Sequence, residues 1–67
     1  MTFKQACRAM AEGEHVYRPG WPAGTYIAAD SSAFVLYEGG RACCLWTASL
    51  DDLAARDWAC EVYVTLV

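Results

Sequence analysis

Thr25-Tyr26-Ile27-Ala28-Ala29, Asp30-Ser31-Ser32, Ala33-Phe34-Val35-Leu36-Tyr37, Glu38-Gly39-Gly40 and Arg41-Ala42-Cys43-Cys44-Leu45-Trp46 form the run that decides the fold. Segments rich in β-branched and aromatic residues flank a short polar turn, and a glycine pair then leads into a further apolar segment. The pattern predicts strands over 25–29, 33–37 and 41–46, joined as a meander. Upstream, His15 to Arg18 reads as a short strand. Pro19-Gly20-Trp21-Pro22-Ala23-Gly24 follows, dense in turn formers around a tryptophan.

Helices flank the meander. Thr2-Phe3-Lys4-Gln5 fits a capping box, with Thr2 as N-cap and Gln5 reaching back. Phe3, Ala6, Cys7, Met10 and Ala11 recur at helical spacing, with Lys4, Arg8 and Glu12 on the other side. Gly13 is placed to end the helix in a left-handed conformation. So short a helix is unstable alone and has to dock on a sheet. Beyond the meander, Ser49 reads as the N-cap of a short helix from Leu50 to Ala55, with Asp51 and Asp52 at its positive end. The tail alternates: Cys60, Val62, Val64 and Leu66 face one way, and Glu61, Tyr63 and Thr65 the other, as in a half-buried strand. The expectation is one α+β domain over 1–67. An N-terminal helix packs on a small antiparallel sheet of four to five strands, with a short helix before the last strand.

Sixty-seven residues bury only about 60% of the surface that the unfolded chain exposes. Yet 57% of the residues are apolar and 13% aromatic, so part of the apolar surface is expected to meet another chain. Eight acids against five bases, a net charge of −3, argue against a DNA or RNA polymer as partner. No stretch approaches the roughly 18 apolar residues of a membrane span. The opening carries Lys4, Arg8, Glu12 and Glu14, which does not read as a signal peptide. Four cysteines without CxxC or Cys/His zinc spacing, two of them adjacent, read as buried or half-buried reduced thiols of a cytosolic protein. No metal, redox centre or cofactor is expected.

Catalysis finds little support. His15 is the single histidine and has no sequence-local partner, so it reads as a surface or packing residue. Asp51, Asp52 and Asp57 are candidates for acid–base pairing, but aspartates at a helix start ordinarily serve the cap and the dipole. Gly39-Gly40 is too short to cradle a phosphate.

Binding finds more. Arg18-Pro19-Gly20-Trp21 carries a guanidinium and an indole on one turn-rich segment. Trp46 ends a strand just before Ser49, and Trp58 follows the small helix. Indole faces stack on nucleobases, each stack worth about 1–3 kcal/mol. Arginine grips phosphate in a two-pronged hydrogen bond, and four of the five bases are arginines: Arg8, Arg18, Arg41 and Arg56. Asp51 and Asp52 can accept from ribose hydroxyls, yet they occupy the helix pole, so a phosphate is expected nearer Arg18 than Ser49. Against these readings, Trp58 reads as core, Trp21 as either ligand contact or packing, and Trp46 lies between the two. Arg41 and Arg56 read as solvated charges.

Two blocks of residues resemble a known family. Thr2-Phe3-Lys4-Gln5-Ala6, Gly13 and Val16-Tyr17-Arg18-Pro19-Gly20-Trp21 form the first. The second, from Trp46 to Trp58, fits the signature W-x-x-S-x-x-D-x-x-A-x-D-W. Together they resemble the second Thoeris anti-defence group of small phage and prophage proteins, and only Ala28 to Cys44 lies outside the likeness. The resemblance implies a non-enzymatic protein in the cytoplasm of the infected bacterium. It would sequester cyclic nucleotide immune signals, namely cyclic ADP-ribose isomers such as glycocyclic ADP-ribose and also cyclic dinucleotides, without cleaving them. It further implies homo-oligomers, commonly tetramers, with pockets where protomers meet. Carried over residue by residue, Trp21 and Trp46 contact the base or rim the pocket. Arg18 faces phosphate, Ser49 and Asp52 lie near the ligand or hold the pocket's shape, and Trp58 is structural. The chain departs from the family in its compact middle, which supplies pocket walls, and in Thr47-Ala48-Ser49, which lacks a proline before the serine. A rival reading is a small acidic phage protein that inhibits a host protein by direct contact, although its acids are scattered rather than grouped. A third is a structural subunit of a larger assembly.

Overall fold

The computed structural model describes residues 1–61. Helix α1, Phe3–Ala11, begins as its sequence dictates. Thr2 is extended; its hydroxyl accepts from the Gln5 N–H at 3.3 Å, and the Gln5 side-chain oxygen accepts from the Thr2 N–H at 2.8 Å. At the other end Gly13 takes a φ of 89°. Its N–H reaches Met10 O at 3.0 Å, and the Glu14 N–H reaches Ala9 O at 3.1 Å. These two bonds satisfy carbonyls that the helix itself leaves open. The buried stripe is Ala6, Ala9 and Met10, flanked by half-buried Phe3 and Cys7. Ala11, expected on that stripe, is exposed: the stripe is centred on Ala6, which brings Ala9 inside it and leaves Ala11 out.

The remaining elements are β1 (His15–Tyr17), β2 (Thr25–Asp30), β3 (Ala33–Glu38), β4 (Arg41–Leu45), α2 (Leu50–Ala54) and β5 (Ala59–Glu61). The strands form one antiparallel sheet in the order β4-β3-β2-β1-β5. The molecule is therefore α+β, as expected. Gly39 and Gly40, with φ of 59° and 82°, are the two loop residues between Glu38 and Arg41. Left-handed backbone at both positions matches the twist of a tight hairpin. Ser31 takes φ 58° in the corresponding β2–β3 loop. Between the pairs Leu36–Cys44 and Tyr37–Ala42 the ladder slips, and Cys43 is the extra residue of a β-bulge. Trp46 falls just outside β4, but its N–H still donates to Phe34 O at 2.8 Å. Helix α2 stops one residue short of the expected end, because Ala55 is already extended. Of the tail, the structure describes Ala59–Glu61; the expectation for Val62, Tyr63, Val64, Thr65 and Leu66 lies outside the described residues.

Register assigns the two sheet faces. Val16, Ile27 and Leu36 are cross-strand neighbours on the helix side. With Ala6, Ala9, Met10 and Trp58, Val16 and Ile27 form the buried core, while Leu36 packs against it. Tyr17, Tyr26 and Tyr37 alternate onto the opposite face. There Tyr26 stacks on Tyr37 at 5.1 Å and on His15 at 4.1 Å, with nearly parallel rings. The cysteines correct the expectation of buried thiols. All four are free, but only Cys7 is half-buried; Cys43, Cys44 and Cys60 are exposed. Among the described residues their strands, β4 and β5, are the two edges of the sheet.

Candidate functional site

The segment Arg18 to Thr25 consists of two tight turns in succession. The Trp21 N–H donates to Arg18 O at 3.0 Å, and the Thr25 N–H to Pro22 O at 3.1 Å. Pro19 supplies its fixed φ at the second position of the first turn, and Gly24, at φ 84°, takes the left-handed third position of the second. Gly24 O also accepts from the Gly39 N–H at 3.1 Å, which fastens the segment to the β3–β4 hairpin. These three bonds stiffen the loop.

That stiffness fixes Trp21. Its ring lies edge-on to Trp58 at 5.5 Å and 6.2 Å from Trp46, while Trp46 and Trp58 are 5.9 Å apart. Phe3 joins this triangle at 5.4 Å from Trp58 and 6.0 Å from Trp46. Edge-to-face aromatic pairs at such distances add about 0.5–1.5 kcal/mol each beyond area burial. Trp58 is the buried member, 2% exposed, as its sequence position suggests. Trp21 and Trp46 are half-buried, so both pack against the core and both keep accessible surface.

Arg18 turns to the α2 side. Its Nε donates to Asp57 at 2.9 Å, and one Nη donates to Asp51 at 3.0 Å and Asp52 at 3.1 Å. These hydrogen bonds, the Asp57 bond foremost, raise the guanidinium pKa above its ordinary value. Ser49 is the N-cap of α2 and closes a reciprocal box with Asp52: its hydroxyl accepts from the Asp52 N–H and donates to the carboxylate at 2.9 Å. Burial pushes the Asp52 carboxyl up, but the Ser49 backbone and hydroxyl and the Arg18 guanidinium outweigh it and hold the group below its ordinary value. Trp58 joins the two sets, because its indole N–H donates to Asp52 O at 3.0 Å. The five residues singled out in the sequence thus meet as a polar set, Arg18, Ser49 and Asp52, and an indole pair, Trp21 and Trp46.

On the other side of Trp21 lies a cleft of about 350 Å³. Tyr17, Pro19, Trp21, Pro22, Tyr26 and Glu61 line it, together with the backbone-rich stretch 23–25. Trp21 is the one residue of the five that borders it. The sequence reading missed Tyr17, Tyr26 and Glu61. Tyr17 and Tyr26 carried a signal, since alternation puts both on the face away from Val16 and Ile27. Glu61 carried none, because its place depends on β5 lying beside β1.

A model of the Thoeris anti-defense 2-like domain matches residues 1–60. The chain belongs to this family. A Thoeris anti-defence role follows from that membership. No curated protein and no solved structure matches the chain. In this Thoeris anti-defense 2-like domain the W-x-x-S-x-x-D-x-x-A-x-D-W block forms one mechanical unit. Trp46 and Trp58 touch, Ser49 and Asp52 cap α2, and Asp52 and Asp57 hold Arg18. Among the described residues no helix is long and apolar enough to cross a membrane.

Proposed function

We propose that this Thoeris anti-defence protein acts as a sponge in the cytoplasm of the infected bacterium. It binds cyclic nucleotide immune signals, cyclic ADP-ribose isomers such as glycocyclic ADP-ribose and also cyclic dinucleotides, and holds them without cleavage. The observation that carries the reading is Trp21: a stiff double turn presents its indole between the packed core and an aromatic cleft. A preformed site loses little conformational freedom on binding. In this reading Trp21 and Trp46 contact the base or rim the site. Ser49 and Asp52 hold its shape, and Arg18, its charge engaged by Asp51, Asp52 and Asp57, braces it rather than facing a phosphate as the resemblance implied. The protein works as a homo-oligomer, a tetramer, with Leu45, Leu50 and Leu53, 72%, 85% and 50% exposed, as candidate contact residues. No turnover is proposed: the three aspartates considered for acid–base work, Asp51, Asp52 and Asp57, are committed to Arg18.

Native mass spectrometry of the protein with a panel of cyclic nucleotides tests the reading. The expected spectrum is a closed oligomer carrying an intact cyclic ADP-ribose isomer, which heat denaturation releases unchanged. A cleaved product, or a monomer that ignores the whole panel, overturns it. Trp21→Ala is expected to lower affinity at least tenfold, about the worth of one base stack, while the oligomer peak persists. Normal binding by that variant removes Trp21 from the site.

A further inference from the structure

The cleft beside Trp21 has a chemistry of its own. Two aromatic rings, Tyr17 and Trp21, and two prolines give it flat apolar walls. Tyr26 adds its edge, because His15 and Tyr37 cover its faces, and among the described residues Glu61 is the one charged residue of the lining. Because β5 pairs with β1 through His15–Glu61 and Tyr17–Ala59, Glu61 and Tyr17 share the sheet face on which the cleft opens. Flat apolar walls take a flat ring. A carboxylate accepts hydrogen bonds and gives none, so the ring must bring a donor to it. A phosphate is repelled, since it would meet a like charge beside low-dielectric walls. A volume of about 350 Å³ is near the lower end of small-molecule pockets, roughly 300–1,000 Å³, and suits a single nucleoside rather than a whole dinucleotide.

We infer that the cleft is the base-reading half of the site, selecting an amino-bearing nucleobase through Glu61 while the phosphates of the messenger stay outside it. The inference rests on the sponge reading for its choice of ligand class and deepens it. The base lies between the Tyr17 and Trp21 rings, against the edge of Tyr26, and its exocyclic amine donates to the Glu61 carboxylate. The double turn, fastened by the Gly39–Gly24 bond, keeps the Trp21 wall in place.

Adenosine and purine riboside, which differ only in the exocyclic amine, are the probes, titrated calorimetrically into the full chain. The chain is expected to bind adenosine about 10- to 100-fold more tightly, the range of one charge-assisted hydrogen bond. Glu61→Ala is expected to bring the two nucleosides within about twofold, and Glu61→Gln, which keeps an acceptor oxygen, to retain part of the preference. Circular dichroism checks that both variants stay folded, as expected for an exposed position. Equal binding of the two nucleosides by the unaltered chain, or a preference that survives Glu61→Ala, overturns the inference. Capture of cyclic ADP-ribose isomers without any adenosine binding also overturns it and leaves the sponge reading standing. Glu61-dependent adenosine binding without capture of any cyclic nucleotide supports the cleft and removes the sponge.

Discussion

Helix α1 and helix α2 both begin at a hydroxyl N-cap closed by a side chain three residues on, Thr2 with Gln5 and Ser49 with Asp52. Their attachments differ. Helix α1 runs for nine residues and buries Ala6, Ala9 and Met10 against the sheet. Helix α2 has five residues and buries none; Leu50 is 85% exposed. So short a helix does not persist alone. Polar bonds fasten it instead, from Arg18 to Asp51 and Asp52 and from the Trp58 indole to Asp52 O. A capping signal in a sequence says where a helix starts. It does not say whether burial or charge will hold it.

The largest expected effect comes from the residue that serves both helices. Trp58→Ala removes the ring against Phe3 and the donor to Asp52 O, and is expected to cost about 3–5 kcal/mol, read from the denaturant midpoint. An unchanged midpoint would break the account of the core. Acid should next separate the two helices. The Asp52 carboxyl lies below its ordinary value in the folded chain. Its contribution is therefore fully present above the unfolded value of about 3.9 and is lost as pH falls through the lower folded value. Amide exchange in α2 is expected to accelerate over that window before exchange in α1 does, and Asp52→Asn to remove the step. Simultaneous loss in both helices counts against the distinction. The smallest effects are at the caps. Thr2→Ala is expected to lower global stability by about 1 kcal/mol. Ser49→Ala is expected to stay within about 0.5 kcal/mol globally while α2 opens locally, because a weakly attached segment unfolds by itself. Equal global losses would erase the contrast.

Much of this fold is readable along the chain because its signals are local. The Thr2 box, the Gly13 stop, the Gly39-Gly40 hairpin and the Ser49 cap each lie within a few residues of what they control. The site is less readable because its bonds are long-range. Arg18 meets its carboxylates 33 to 39 positions away, and no spacing rule links them. The tryptophans are legible as a surplus, but not as a triangle in which Trp58 is buried while Trp21 and Trp46 are half-buried. The burial of the cysteines is hidden in the sequence for a related reason. A thiol in a strand is buried or exposed according to the strand's place in the sheet, and nothing local put β4 and β5 at the edges.

The bulge at Cys43 bears on how such a protein has to be produced. Under the proposed sponge reading, copies have to accumulate to match the molecules they capture, and crowded copies with open strand edges are prone to zip into filaments. The irregular step in β4 breaks the even spacing that a neighbouring strand would need, and Arg41 adds a charge on the same border. A small kink in one strand thus blunts the β4 border against pairing with another copy.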